Sequence, residues 1–180
     1  AISIAHGLGA TVFVTITIHI VPALTDIGLS LQLAGTVVAI LAIAAAFSQV
    51  IGGFLGDKFS KRPFIFGALL IQGVGMIIAA STDNISQAIL FAVVFGIGQG
   101  VRVPLLVAIR GDYFGRKYFA TILGVSQMPM NVLMMGAPVL AGYLFDTSGS
   151  YTVPFFGMAG ACFLGAALIL VIRKPKLPPS

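Results

Sequence analysis

Long apolar runs alternate with short polar breaks along the whole chain. Six runs emerge, at about 1–24, 32–55, 64–80, 87–109, 119–143 and 152–172. The breaks, such as TDIGLSLQ and GDKFSKRP, contain most of the charged and turn-forming residues. A helix needs about 20 apolar residues to cross the hydrocarbon core of a bilayer. The pattern therefore predicts an all-α integral membrane protein, with six transmembrane helices in one domain that covers residues 1–180.

Charge is unevenly distributed between the breaks. The breaks after the second and fourth runs and the C-terminal tail hold nine of the ten Lys and Arg residues, whereas the other breaks hold Asp26, Asp83 and Asp146 and no basic residue. Basic loops face the cytoplasm, so we expect both termini to be cytoplasmic. Because the net charge of +5 comes from short loops rather than one basic face, we expect a lipid bilayer and no nucleic acid as partner.

Composition supports this class and excludes several chemistries. Hydrophobic residues make up 58% of the chain and charged residues 8%, against about 25% charged residues in a typical soluble domain. The single cysteine, Cys162, lies in an apolar run, so we expect a buried thiol and neither a disulfide nor a metal site. No nucleophile or nucleotide motif is evident, which predicts no enzymatic activity and no cofactor.

The chain starts at Ala1, within an apolar run, and shows no cleavable signal peptide. We therefore expect a fragment, the later part of a longer chain. The alternative is a six-helix protein that pairs with a second copy of itself.

The break at residues 53–62, GFLGDKFSKR, resembles the signature loop of the major facilitator superfamily. Ser60 departs from the pattern, which has glycine there. The matching residues are Gly53, Leu55, Gly56, Asp57, Lys58, Lys61 and Arg62. The resemblance implies that the six helices form one half of a major-facilitator fold, with a missing N-terminal six-helix half as partner.

Two later stretches are similar to a branch of that superfamily. RGDYFGRKYFATILG at 110–124 and GAPVLAGYLFDTSGSY at 136–151 resemble the later half of oxalate/formate-antiporter-like and monocarboxylate-transporter-like members. The resemblance implies a secondary transporter that works by alternating access. A small organic anion, such as a carboxylate, is the expected solute, moved by proton-coupled symport or anion exchange. We expect the cytoplasmic membrane of a prokaryote as its location.

The signature loop suggests a gate. Asp57 near a helix end can accept backbone N–H bonds from another helix, or pair with Arg116 or Lys117 on the neighbouring loop. Such a clasp would close the inner mouth in one state and open in the other. The alternative is a solvated topology anchor, because an exposed ion pair contributes only about 0–1 kcal/mol.

Arg102 is the one basic residue deep in an apolar run. It lies about 15 residues into the fourth run, or about 22 Å from its start. Placing arginine there costs about 2.5–3.5 kcal/mol, so its side chain should face the bundle interior or a water-filled cavity. A planar guanidinium matches a carboxylate in two parallel bonds. We therefore expect Arg102 to bind an anionic solute; the alternatives are snorkelling to the interface and structural pairing.

Other polar residues in the runs are candidates to line a solute path. His19 and His6 are the only side chains in the runs that change charge near neutral pH, which makes His19 the candidate for proton coupling. Hydrogen bonding between helices without solute contact is the alternative for each. In addition to Arg102, the candidates are Gln99, Gln49, Gln127, Asn131 and His19.

One departure from the branch limits the analogy. Monocarboxylate-type relatives often carry an arginine at the position that Gln49 occupies here, so their anion site does not carry over and Arg102 must supply the charge.

Two rival functions remain open. One is export of neutral or cationic drugs or metabolites, and the other is a non-transporting membrane sensor or scaffold.

Overall fold

All six apolar runs form helices in the structure, a computed structural model that describes residues 2–115 and 119–172. Each helix is long and apolar enough to cross a membrane, as the sequence predicts. The helices are α1 (Ile2–Asp26), α2 (Leu31–Lys58), α3 (Lys61–Ala80), α4 (Ile85–Phe114), α5 (Phe119–Ser148) and α6 (Thr152–Val171).

Local sequence explains where several helices begin and end. The side chain of Ser30 accepts a hydrogen bond from the backbone N–H of Leu33 at the start of α2, and Asn84 caps α4 through Gln87 in the same way. Both residues satisfy N–H groups that the first turn of a helix leaves unpaired. Gly115 ends α4 with a φ of 76°, a left-handed conformation that glycine adopts without steric cost.

The end of α4 corrects one assignment from the sequence. The sequence places Arg110 in the basic loop that follows the fourth run, but in the structure Arg110 lies inside α4 and is only 1% exposed. Its Nη1 atom donates to the carbonyl oxygen of Leu106 at 2.6 Å. The helix continues past this arginine to Phe114, and Gly115 ends it with a positive φ.

The helices pack into a bundle with α4 between α2 and α3. Helix α3 also packs on α6, and α1 packs on both α5 and α6. The core is therefore formed mainly by α1, α3, α4 and α6, whereas α2 and α5 leave the largest share of their apolar surface uncovered.

The two ends of the bundle differ in charge. We call the end with the α2–α3 connection the basic end, because Lys58, Lys61 and Arg62 lie there. The opposite end, with Asp26, Asp83 and Asp146, is the acidic end.

Candidate functional site

Arg102 lies in the interior of the bundle and is 1% exposed. Its Nη2 atom donates to Oε1 of Gln99 at 2.6 Å. Its Nη1 atom is 3.5 Å from the carbonyl oxygen of His6, at the long end of the hydrogen-bond range. The guanidinium therefore faces the bundle interior, one of the two orientations that the sequence predicts, rather than snorkelling to the membrane surface.

Gln72 on α3 extends this cluster to a third helix. Its Nε2 atom is 3.2 Å from the carbonyl oxygen of Gly9 and also 3.2 Å from Oε1 of Gln99. Gln72 is fully buried and is not among the site residues that the sequence predicts. The sequence does contain one sign of its role, because Gln72 is the single polar side chain in the otherwise apolar run at 64–80.

An open groove of about 350 Å³ lies between α1, α2 and α4. Most of its lining is apolar, with Phe13, Leu41 and Val103 among the larger side chains. Two of the predicted site residues, Gln49 and Gln99, line it together. Arg102 is bonded to Gln99 and does not itself line the groove.

No carboxylate lies within ion-pair distance of Arg102 in the part of the chain that the structure describes. All five acidic residues lie at or near helix ends: Asp26, Asp57, Asp83, Asp112 and Asp146. Burying an arginine without a counter-charge is costly, and here amide and carbonyl oxygens are the acceptors.

The remaining predicted site residues lie elsewhere in the bundle. Gln127 and Asn131 are on α5, where Gln127 is half-buried and Asn131 is exposed, and neither belongs to the groove defined by the described residues. His19 lies toward the acidic end, where its Nε2 atom is 3.0 Å from the carbonyl oxygen of Pro138 and its Nδ1 atom is 3.4 Å from the hydroxyl of Tyr151. The structure thus brings together Arg102, Gln99 and Gln49, but not all six candidates.

At the basic end, an ion pair joins the signature loop to α4. Nζ of Lys61 is 2.7 Å from Oδ2 of Asp112, and among residues 2–115 and 119–172 this is the one ion pair. Arg62 donates through Nε to the carbonyl oxygen of Ile169 at 2.8 Å, and through Nη2 to that of Leu170, near the C-terminus of α6. The two basic residues therefore tie α3 to α4 and α6.

The other signature residues have separate surroundings. Asp57 is exposed and has no hydrogen bond to any residue that the structure describes, and its predicted partner Arg116 lies outside the described residues. Nζ of Lys58 is 4.3 Å from the ring centroid of Phe54. Gly53 faces open space, whereas Gly56 lies directly against Leu105 of α4.

Cys162 is fully buried, as predicted.

Ser60, the departure from the signature pattern, has a φ of −59°. Any residue adopts that value, so the turn does not require glycine there.

Comparisons with known proteins agree with this architecture. The family model described as Major Facilitator Superfamily matches residues 2–180. A crystal structure of a mutant peptide transporter POT has a TM-score of 0.84 to this chain, at 20% sequence identity, over 96% of this chain and 37% of the transporter. That likeness concerns the fold.

Several transporters are similar in sequence. Monocarboxylate transporter 12-B of Danio rerio is 27% identical over 85% of this chain and 33% of its own length. Monocarboxylate transporter 13 of Rattus norvegicus is 29% identical over 86% of this chain and 36% of its own. A multidrug resistance protein B homolog of Mycobacterium tuberculosis is 32% identical over 54% of this chain and 18% of its own. The chain thus spans about a third of the length of the monocarboxylate transporters.

Proposed function

The chain belongs to the major facilitator superfamily, and from this we propose that it forms one half of a secondary active transporter that works by alternating access. Its named relatives are transporters rather than enzymes, and the monocarboxylate transporters place it near that branch. We propose a small organic anion, in particular a carboxylate, as the solute. Movement with a proton or in exchange for another anion is the proposed coupling.

The buried charge of Arg102 is the observation that supports an anion. Among the residues that the structure describes, its guanidinium is held by neutral acceptors alone, and all five Asp side chains lie at or near helix ends. A positive charge in a poorly hydrated site attracts anions into the adjacent groove, because the field of an uncompensated charge is weakly screened there.

The groove beside that charge is the proposed solute site. Gln49 and Gln99 supply polar contacts within an apolar lining, which suits a solute with one polar group and a short apolar body. We propose that three more residues contact the solute or its proton on other parts of the path. They are Gln127 and Asn131 on α5, and His19 on α1 toward the acidic end. His19 is the proposed proton carrier, because histidine changes charge near neutral pH.

The second wall of the path would come from a partner. Helices α2 and α5 leave most of their surface uncovered, and the relatives are about three times longer than the matched region. A preceding six-helix half is the proposed partner, and a second copy of this chain is the alternative. The protein is integral to the membrane; its location in a prokaryotic cytoplasmic membrane, with both termini inside, stays a prediction.

The gating role of the signature loop is also a proposal. The residues concerned are Gly53, Gly56, Asp57, Lys58, Lys61, Arg62 and Arg116. The support is the pairing of Lys61 with Asp112, which joins this loop to the end of α4. An ion pair at a mouth of the path can form and break as the helices move, because it is partly exposed to water.

A second candidate function is export of neutral or cationic drugs. The similarity to the multidrug resistance protein B homolog and the mostly apolar groove favour it. In that function Arg102 would be purely structural.

Flux measurements separate these two functions. The complete transporter is reconstituted in liposomes and offered a short monocarboxylate, its uncharged primary amide and the corresponding alkylammonium. Carboxylate uptake that exceeds the other two at least about tenfold supports the anion transporter. Preference for the amide or the ammonium would assign the protein to the exporters instead.

A further inference from the structure

The orientation of the Gln99 side-chain amide follows from its neighbours. Arginine has only donors, so the atom of Gln99 that contacts Arg102 must be the carbonyl oxygen Oε1. Gln72 is oriented by the same logic, since its contact with the carbonyl oxygen of Gly9 must involve its NH₂ group. That NH₂ group then donates to Oε1 of Gln99 as well. Two independent donors thus hold Oε1 toward the bundle interior.

The NH₂ group of Gln99 has the opposite environment. It donates to no residue in the described ranges, and Gln99 lines the groove between α1, α2 and α4. With its oxygen fixed inside by Arg102 and Gln72, the side chain can offer the groove only its two N–H donors. A Gln at this position would otherwise rotate freely and offer either an acceptor or a donor.

We infer that Gln99 is the residue that contacts the polar group of the solute, and that Arg102 and Gln72 are positioning residues that hold it as a donor. The inference rests on the proposed function and gives it an atomic form. Arg102 is separated from the groove by Gln99, so its charge acts on the solute through the polarised amide. The site then selects hydrogen-bond acceptors, such as a carboxylate or carbonyl oxygen, joined to an apolar body that fits Phe13, Leu41 and Val103.

Substitution of Gln99 by methionine separates this inference from direct binding by Arg102. Gln99→Met keeps the length of the side chain, removes both donors and leaves the Arg102 charge in place. We expect the KM for the monocarboxylate to rise at least about tenfold, the usual loss for a hydrogen bond to a charged group. Direct contact between Arg102 and the solute predicts an unchanged or lower KM, which would overturn the inference.

Gln99→Glu is the second variant, because it keeps an acceptor for Arg102 and Gln72, so we expect it to fold even if the methionine variant does not. It presents oxygen rather than N–H to the groove. We expect carboxylate uptake to fall more than about tenfold, while uptake of the matching primary amide, which can donate to that oxygen, falls less or rises. An unchanged ratio of carboxylate to amide uptake would overturn the inference.

Controls come from the same chain. Gln32 is exposed in the first turn of α2, so Gln32→Met and Gln32→Glu should leave both uptake rates unchanged. Arg102→Lys keeps the charge but loses the planar fork of donors. We expect the KM to rise by a larger factor than the maximal rate falls. A uniform fall in rate with an unchanged KM would mean that Arg102 is only structural.

The outcomes distinguish this inference from the anion proposal. If the wild-type protein carries the amide and not the carboxylate, the anion proposal is wrong, whereas a changed amide uptake in Gln99→Glu still supports Gln99 as the contact. A wild-type protein that neither carries nor is thermally stabilised by any of the three probes overturns both.

Discussion

The guanidinium of Arg102 lies directly against the backbone of Gly9. A Cβ atom on residue 9 would be 2.9 Å from Cζ of Arg102, closer than real Cβ contacts occur, and 3.0 Å from its Nε atom. The same glycine offers its carbonyl oxygen to Gln72. Gly9 therefore makes room on α1 for a charged side chain of α4 and accepts a hydrogen bond from α3.

Gly9→Ala should displace the guanidinium from Gln99. Overpacking of this kind costs about 1–3 kcal/mol, which corresponds to a fall in melting temperature of about 2 °C or more. Thermal denaturation of the detergent-solubilised protein measures it. The matched test repeats Gly9→Ala in an Arg102→Met background. Because methionine is slimmer than arginine and flexible, Gly9→Ala should lower the melting temperature less in this background. Equal losses in both backgrounds would show that Arg102 is not the residue displaced.

Gly100 of α4 has an equally close neighbour on α2. A Cβ atom there would overlap the carbonyl oxygen of Ala45 and come within 2.8 Å of Cβ of Ser48. Gly100→Ala should therefore force α2 and α4 apart and lower the melting temperature by several degrees, because two backbones cannot yield as a side chain can. The control is Gly160→Ala, at an open position of α6. Similar melting temperatures for both variants would contradict the close packing.

The sequence predicts the helices far better than it predicts the polar cluster. Each run of about 20 apolar residues must form its own helix to satisfy its backbone in lipid, so hydropathy alone predicts all six helices. The convergence of Arg102 and Gln72 on Gln99 beside Gly9 depends on how α1, α3 and α4 are rotated against one another. The pattern of polar residues within one helix says little about how that helix is rotated against its neighbours. In a membrane, polar faces point to partner helices as well as to solvent.

The assignment of Arg110 shows the same limit in a different way. Charged residues commonly mark the end of a membrane span, so the sequence predicts a loop position for this arginine. Its aliphatic stem and its bond to Leu106 allow it to stay within the helix. Helix ends are set by local backbone chemistry, here that of Gly115.

Charge exchange between Lys61 and Asp112 tests the gate. Lys61→Glu places two carboxylates together, and we expect the maximal uptake rate to fall about fivefold, the equivalent of about 1 kcal/mol. The melting temperature should change little, because the side chains are 16% and 51% exposed and such pairs contribute only about 0–1 kcal/mol. The double exchange, Lys61→Glu with Asp112→Lys, should restore the rate. If the double exchange is as slow as the single variant, the pair has no role in transport.

The surroundings of His19 define its neutral form. Pro138 offers a carbonyl oxygen, which can only accept, so Nε2 of His19 carries the proton and Nδ1 accepts from Tyr151. Burial, together with the negative charges of Asp26 and Asp146, raises the pKa of Tyr151, so its hydroxyl keeps its proton for this bond. Protonation of His19 would turn Nδ1 into a donor and reverse the direction of that bond.

His19→Gln should remove the pH dependence of carboxylate uptake. Glutamine can still donate to the carbonyl oxygen of Pro138 but cannot gain a proton, so a proton-coupled transporter should lose its faster uptake at acidic pH. Initial rates at about pH 5.5 and about pH 7.5 measure this, with an imposed proton gradient in both directions. Tyr151→Phe is the control, since it removes the partner of Nδ1 and keeps the imidazole itself. A His19→Gln protein that keeps the full pH response would exclude His19 as the proton carrier.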